Sequence, residues 1–227
     1  MTAQADSHTI ESHQPNSGRS AMPSFCRILL ISILLIFSGC ASEIALINPN
    51  TEAEKSNGIL LTSITSDDSH QLFDAWFFYR PKGTKEEIRL DAFEGAGLLM
   101  KPSDFSRNEN RSGRLIATSL KPGEYELFNW TLYVNRLGGY GYISPRNPPP
   151  PQTFNIQPGE ITYLGNLHVS TIMKDGPFGF PMIFGGNPNF SDQSEKDFEL
   201  LRKKFPNIVE WPIIFTIPND EKWKTVE

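Results

Sequence analysis

Few side chains in this sequence are suited to chemistry, and they do not cluster. The chain has 227 residues, two cysteines, four histidines and a formal net charge of −5. Cys40 stands at the end of the mostly apolar run of residues 28–37, which follows Arg27, and the small residues Ser38 and Gly39 precede it. A basic residue, a short apolar run and small residues describe a secretory signal with its cleavage site. The run is too short to span a bilayer, which takes about 20 residues. If the chain is cut after Gly39, Cys40 is exposed as the new N-terminal residue, and its thiol is the group placed for modification.

Leu34-Leu35-Ile36-Phe37-Ser38-Gly39-Cys40 resembles the lipobox of bacterial lipoproteins, with Phe37 where that family usually has Leu. The resemblance implies lipidation at Cys40. Two or three acyl chains, at roughly 0.8 kcal/mol per buried methylene, would make attachment effectively permanent where one chain alone is marginal. Ala41 follows the cysteine, where Asp favours inner-membrane retention in many Gram-negative bacteria. The expected location is therefore the outer membrane, lipid-anchored and facing the periplasm. Residues 1–39 are expected to be a polar leader and signal peptide. Asp6 and Glu11 fit a signal poorly, whereas a start at Met22 gives a short basic leader; otherwise residues 1–21 form an unstructured extension.

Removal of 39 residues leaves 188, enough for one domain with a sizeable core. Cys26 leaves with the signal and Cys40 is acylated, so the mature domain has no thiol for a disulfide or a metal. The acidic balance and scattered basic residues give no electrostatic footprint for nucleic acid. Residues 40–58 are polar and turn-rich apart from Ile44, Ala45, Leu46 and Ile47, as befits a tether.

From residue 59 the pattern is short apolar runs broken by Gly, Pro, Asn and Asp, the spacing of an all-β sandwich or barrel. The spacing predicts strands over 59–65, 73–79, 87–93, 114–120, 125–134, 153–156, 161–173 and 213–217. Lys121-Pro122-Gly123-Glu124 and Gln157-Pro158-Gly159-Glu160 repeat 36 positions apart, and each introduces an apolar run. Pro-Gly suits the centre of a type II turn. In residues 161–170, alternation puts Ile161, Tyr163, Leu167 and Val169 on one face, and Thr162, Leu164, Asn166, His168 and Ser170 on the other. Asp192 is a candidate N-cap with Glu195 three residues on. Acids Glu195, Asp197 and Glu199 open the following helix, Arg202, Lys203 and Lys204 close it, and Pro206 stops it. Phe198, Leu201 and Phe205 give it one apolar stripe.

Phe154-x-Ile156-x-Pro158-Gly159-Glu160-x-x-Tyr163-Leu164-Gly165, with Ser191-Asp192-x-x-Glu195-x-Asp197 leading to Lys204-Phe205-Pro206, resembles uncharacterised proteobacterial lipoproteins with a transthyretin-like domain of unknown function. The resemblance covers roughly residues 60–210 and implies a fold rather than an activity. The expectation is a transthyretin-like, or prealbumin-like, β-sandwich of seven or eight strands over 59–217. One C-terminal amphipathic helix lies near 193–205, and residues 218–227 form a polar tail.

The remaining chemistry is sparse. His70 and His168 lack motif spacing, and structural roles are expected for both. No paired cysteine, His-Glu-x-x-His, Asp-rich calcium loop or Gly-x-Ser-x-Gly elbow occurs, so no catalytic residue, cofactor or metal is expected. Two segments suggest a partner instead. Residues 138–152 read as a flexible hairpin tip and exposed loop bearing Tyr140, Tyr142, Pro148 and Pro149. Residues 176–187 carry Phe178 and Phe180 among glycines and prolines, as an edge strand, a cover or a contact patch. Trp76, Trp130 and Trp211 are expected to anchor the core. The function these features imply is non-enzymatic: a membrane-anchored lipoprotein that binds or scaffolds an envelope protein. A type VI-like secretion-assembly lipoprotein is one alternative, and an envelope hydrolase acting on peptidoglycan or glycans is another.

Overall fold

The computed structural model describes residues 53–93, 102–105, 111–136 and 139–224, all within one compact unit, Glu43–Glu227. The leader, the signal, Cys40 and most of the tether lie outside the described residues.

Among the described residues, two sheets and one α-helix form three layers. In sheet I, β1 (Gly58–Asp67) is central. It pairs antiparallel with β4 (Arg111–Leu120) on one side and parallel with β8 (Ile161–Asp175) on the other. The far edge of β8 is shared: β10 (Ile213–Phe215) takes its first residues in parallel, and β9 (Pro181–Ser191) takes the rest antiparallel. Sheet II is wholly antiparallel. Its long strand β5 (Gly123–Arg136) pairs with β2 (Leu72–Pro81), which carries β3 (Ile88–Asp91) at the edge. The other edge of β5 is likewise shared, by β7 (Gln152–Ile156) and β6 (Gly139–Ile143). The all-β sandwich with a C-terminal helix is the architecture the spacing predicts, with ten strands among the described residues rather than seven or eight.

Both Pro-Gly-Glu segments are crossovers between sheets. Each launches the long strand whose outer edge two other strands share: β5 from residues 121–124, and β8 from 157–160. The turn at Pro158-Gly159 has the expected form, with Gly159 at φ +69° and the Glu160 amide donating to the Gln157 carbonyl at 3.4 Å. The one at Pro122-Gly123 does not. Gly123 has φ +154° and already belongs to β5, so it is no type II turn.

The expected faces of β8 need correction. Leu61 pairs with Tyr163 but Ser63 with Asn166, so an extra residue is accommodated at Leu164-Gly165, where Gly165 takes φ +78°. The bulge moves the later residues to the opposite side. Leu164, Leu167 and Val169 enter the core between the sheets, with Leu60, Ile64, Phe77, Leu127 and Trp130. Ile161 and Tyr163 join Ile59, Leu61 and Leu115 on the outer face of sheet I.

That outer face is covered by helix α1 (Ser194–Lys204) through Leu201, Phe205 and the partly buried Phe198, followed by the 3-10 turn Pro206–Ile208. Burying a leucine or phenylalanine contributes roughly 1.5–3 kcal/mol, which holds a short helix that would not persist alone. The N-cap is Gln193, without a side-chain cap, rather than Asp192, whose Oδ1 accepts the Ser194 amide at 2.8 Å.

The glycine-rich tip, expected as a flexible turn, is strand β6 from Gly139. Of the readings offered for residues 176–187, the edge strand is the one observed: residues 181–191 form β9, paired with β8 alone. Trp223, unexplained by its polar surroundings in sequence, is 2% exposed and packs against Phe77 and Phe190.

Candidate functional site

On β2, the residues Ala75, Phe77 and Tyr79 point into the core, so Asp74, Trp76, Phe78 and Arg80 alternate to the outer face of sheet II. Trp76 is therefore half-buried on the outer face and not the expected core anchor, whereas Trp130 is buried and Trp211 packs partly buried against the cluster on the outer face of sheet I. On β5, Leu132 and Val134 point inward and leave Tyr133 outside, directly opposite Tyr142 of β6. The ring centroids of Tyr133 lie 5.9 Å from Trp76 and 5.1 Å from Tyr142, both stacked. Tyr142 is 5.5 Å from Trp76. Phe73, at the irregularity in the β2–β5 register, adds contacts of 5.4 Å to Tyr133 and 5.2 Å to Tyr140. Five rings from three strands thus form one continuous cluster. Tyr140 is 69% exposed and Tyr142 63%.

The cluster has a polar margin. Arg89 of β3 places its guanidinium 4.3 Å from the centroid of Trp76 and pairs with Asp91. The Trp76 indole donates to Asp74 Oδ2 at 2.7 Å, which fixes the ring. Asp74 also accepts the amides of Ala75 at 2.8 Å and Phe93 at 3.1 Å. Burial pushes the Asp74 carboxyl up to about 6, against the pull of the Trp76 bond and with a further push from Asp91. These carboxyls are engaged in holding the sheet edge and Trp76.

The six residues expected to bind a partner separate into three places. Tyr140 and Tyr142 come together in the ring cluster, on a strand rather than in a loop. Pro148 and Pro149 line a cavity of about 750 Å³ between residues 143–150 and the β8–β9 hairpin. Phe178, 93% exposed at φ +64°, and Phe180 sit at the tip of that hairpin. Phe73, Trp76 and Tyr133 went unrecognised as surface residues. Parity with Asp74 and Arg80 marks Trp76, and parity with Asn135 marks Tyr133, whereas Phe73 reaches that face through the irregularity in the β2–β5 register, which alternation does not show.

A polar chain runs between sheet I and the helix. His168 Nδ1 lies 2.9 Å from Thr65 Oγ1, and Nε2 lies 3.3 Å from Asp67 Oδ1. Burial works to raise the Asp67 carboxyl, but the His168 and Thr171 bonds outweigh it and hold it below the usual range. A carboxylate, an imidazole and a hydroxyl in line have the composition of a nucleophile relay. Here Thr65 is fully buried and its hydroxyl is tied to Asn166, so no substrate atom reaches it. From Asn166 the chain continues to Ser63, Asp197 and Tyr163. Its role is to fasten α1 to the sheet.

Compared with known protein families and with curated proteins, the chain matches none. Among solved structures it is similar to a leucine-rich repeat protein from Bacteroides thetaiotaomicron, with 8% identity and a TM-score of 0.29, over 51% of this chain and 14% of that one. At that TM-score the likeness bears on neither fold nor function.

Proposed function

We propose that this protein is an outer-membrane lipoprotein, anchored through Cys40 and facing the periplasm, whose sandwich holds a protein partner without catalysing a reaction. The observation that carries the binding role is the five-ring cluster of Phe73, Trp76, Tyr133, Tyr140 and Tyr142 on the outer face of sheet II, with Tyr140 and Tyr142 exposed, the other three half-buried, and Arg89 beside them. Tryptophan, tyrosine and arginine dominate the energetics of protein interfaces, because each buries much area at low entropic cost or makes several directed bonds. Monomeric domains rarely leave such rings grouped on one face. Anchorage rests on the lipobox resemblance of residues 34–40.

The test is photo-crosslinking in cells. A photoreactive residue replaces Tyr142 in one strain and Lys203, on the exposed side of α1, in another. The expected result is a discrete crosslinked protein from position 142 that is absent from position 203 and lost on Trp76→Ala. Identical products from both positions, or none from position 142, would overturn the assignment.

A further inference from the structure

We propose that the cavity between residues 143–150 and the β8–β9 hairpin binds a single-chain amphiphilic anion, an alkyl chain ending in a phosphate or carboxylate. The inference concerns a surface separate from the ring cluster and does not depend on it.

The cavity has the size of a small-molecule site, about 750 Å³. Its apolar walls are Trp130, Ile172 and Phe184. Its charged side chains are all cations, Arg146, Lys174 and Lys224, and no Asp or Glu lines it among the described residues. Lys224 is paired with Asp220 just outside the lining, at 3.6 Å, so the cationic face rests on Arg146 and Lys174. In a chain of net charge −5 that face favours an anion. An apolar wall beside cations suits a ligand that is apolar at one end and anionic at the other.

The site is built beforehand. Residues 145–150 include four prolines, a stiff segment with few amides to satisfy. It is fastened at both ends: Thr131 and Ser144 share a hydroxyl bond of 2.8 Å, and the Trp223 indole donates to the Pro150 carbonyl at 3.0 Å. Opposite, Gly186 brings β9 close over the core, where a Cβ would lie 2.8 Å from Trp130 Cζ3. Trp130 carries a further mark of an incomplete site, since its buried Nε1 has no acceptor among the described residues. A wall fixed in advance spares a ligand the cost of ordering it.

The experiment uses residues 43–227, whose two cores are formed by their own side chains. Tryptophan fluorescence is titrated with decyl, dodecyl and tetradecyl phosphate below their micelle concentrations, and with dodecanol. Affinity is expected to rise about fourfold per added methylene. Dodecyl phosphate is expected to bind at least tenfold more tightly than dodecanol. Arg146→Glu combined with Lys174→Glu should abolish that preference while leaving dodecanol within twofold and the circular dichroism spectrum unchanged. Ile172→Trp, which fills the cavity, should weaken all four ligands. Equal affinity for dodecanol and dodecyl phosphate, no binding by the unaltered protein, or binding indifferent to the paired charge reversal would each overturn the proposal.

Discussion

The Tyr163 hydroxyl donates to Asp197 Oδ2 at 2.7 Å across the seam between sheet I and helix α1. The same hydroxyl accepts the Gln193 amide at 3.3 Å, and Ser63 donates to the same carboxyl oxygen at 2.7 Å. Asp197 is fully buried, and that burial holds its carboxyl above the usual range despite both bonds. One side chain of β8 thereby ties the first turn of the helix to the sheet it covers.

Tyr163→Phe keeps the ring and its packing on Phe198 and Phe215 but removes both bonds. A buried polar group left without its partner costs about 1–3 kcal/mol. The urea midpoint should fall accordingly, with the slope of the transition unchanged. A loss below about 0.5 kcal/mol would mean that the hydroxyl is not the fastening.

Asp74 gives a dependence on pH with a defined sign. Its carboxyl titrates at about 6 in the folded chain, against a reference value of 3.8. The folded state holds this proton more tightly, so the stabilisation is complete below about pH 4 and is lost as pH rises through 6. The shift corresponds to roughly 3 kcal/mol. Subtracting the unfolding free energy of Asp74→Asn from that of the unaltered protein should give a difference that declines from pH 4 to pH 7. A flat difference across that range would contradict the titration.

Much of the fold was legible because strand chemistry is local. β1, β2, β4, β5 and β8 are runs of β-branched and aromatic residues, and the Pro-Gly pairs mark where β5 and β8 begin. β6 and β9 were obscured by their glycines, which carry no strand preference of their own. Gly186 is there because Trp130 leaves no room for a side chain, a fact of packing and not of periodicity. The faces of β8 were misread because the bulge at Gly165 changes parity in mid-strand. The ring cluster was half legible. In residues 73–79 nearly every residue is large and apolar, so alternation is hard to see, but Asp74 and Arg80 share the parity of Trp76 and mark its face as the outer one. The cavity was not legible at all, since Trp130, Arg146, Ile172 and Phe184 meet only through the packing of one sheet on the other.

The anchor can be tested apart from the fold. Labelled palmitate should enter the protein in bacterial cells, and Cys40→Ser should abolish both the label and co-sedimentation with outer membranes. Equal labelling of the two chains would remove Cys40 as the lipidated residue.

Two glycines separate backbone strain from crowding. Gly159 and Gly165 both have positive φ, +69° and +78°, where an alanine is strained by about 1–2 kcal/mol. Around Gly159 there is space, the nearest atom to an added Cβ being the Lys55 carbonyl oxygen at 3.8 Å. At Gly165 the Cβ would meet the Ser191 carbonyl oxygen at 2.6 Å and Ile217 at 3.3 Å. The same residue forms the bulge, and its carbonyl accepts the Thr62 hydroxyl at 2.8 Å. Gly159→Ala should therefore lower stability by about 1–2 kcal/mol. Gly165→Ala should cost clearly more, because β8 must shift against β9 as well as bear the strain. Parallel urea melts decide it. Equal losses would mean that β9 yields freely at Ser191, and that the bulge, rather than the close approach of the two strands, is what requires glycine there.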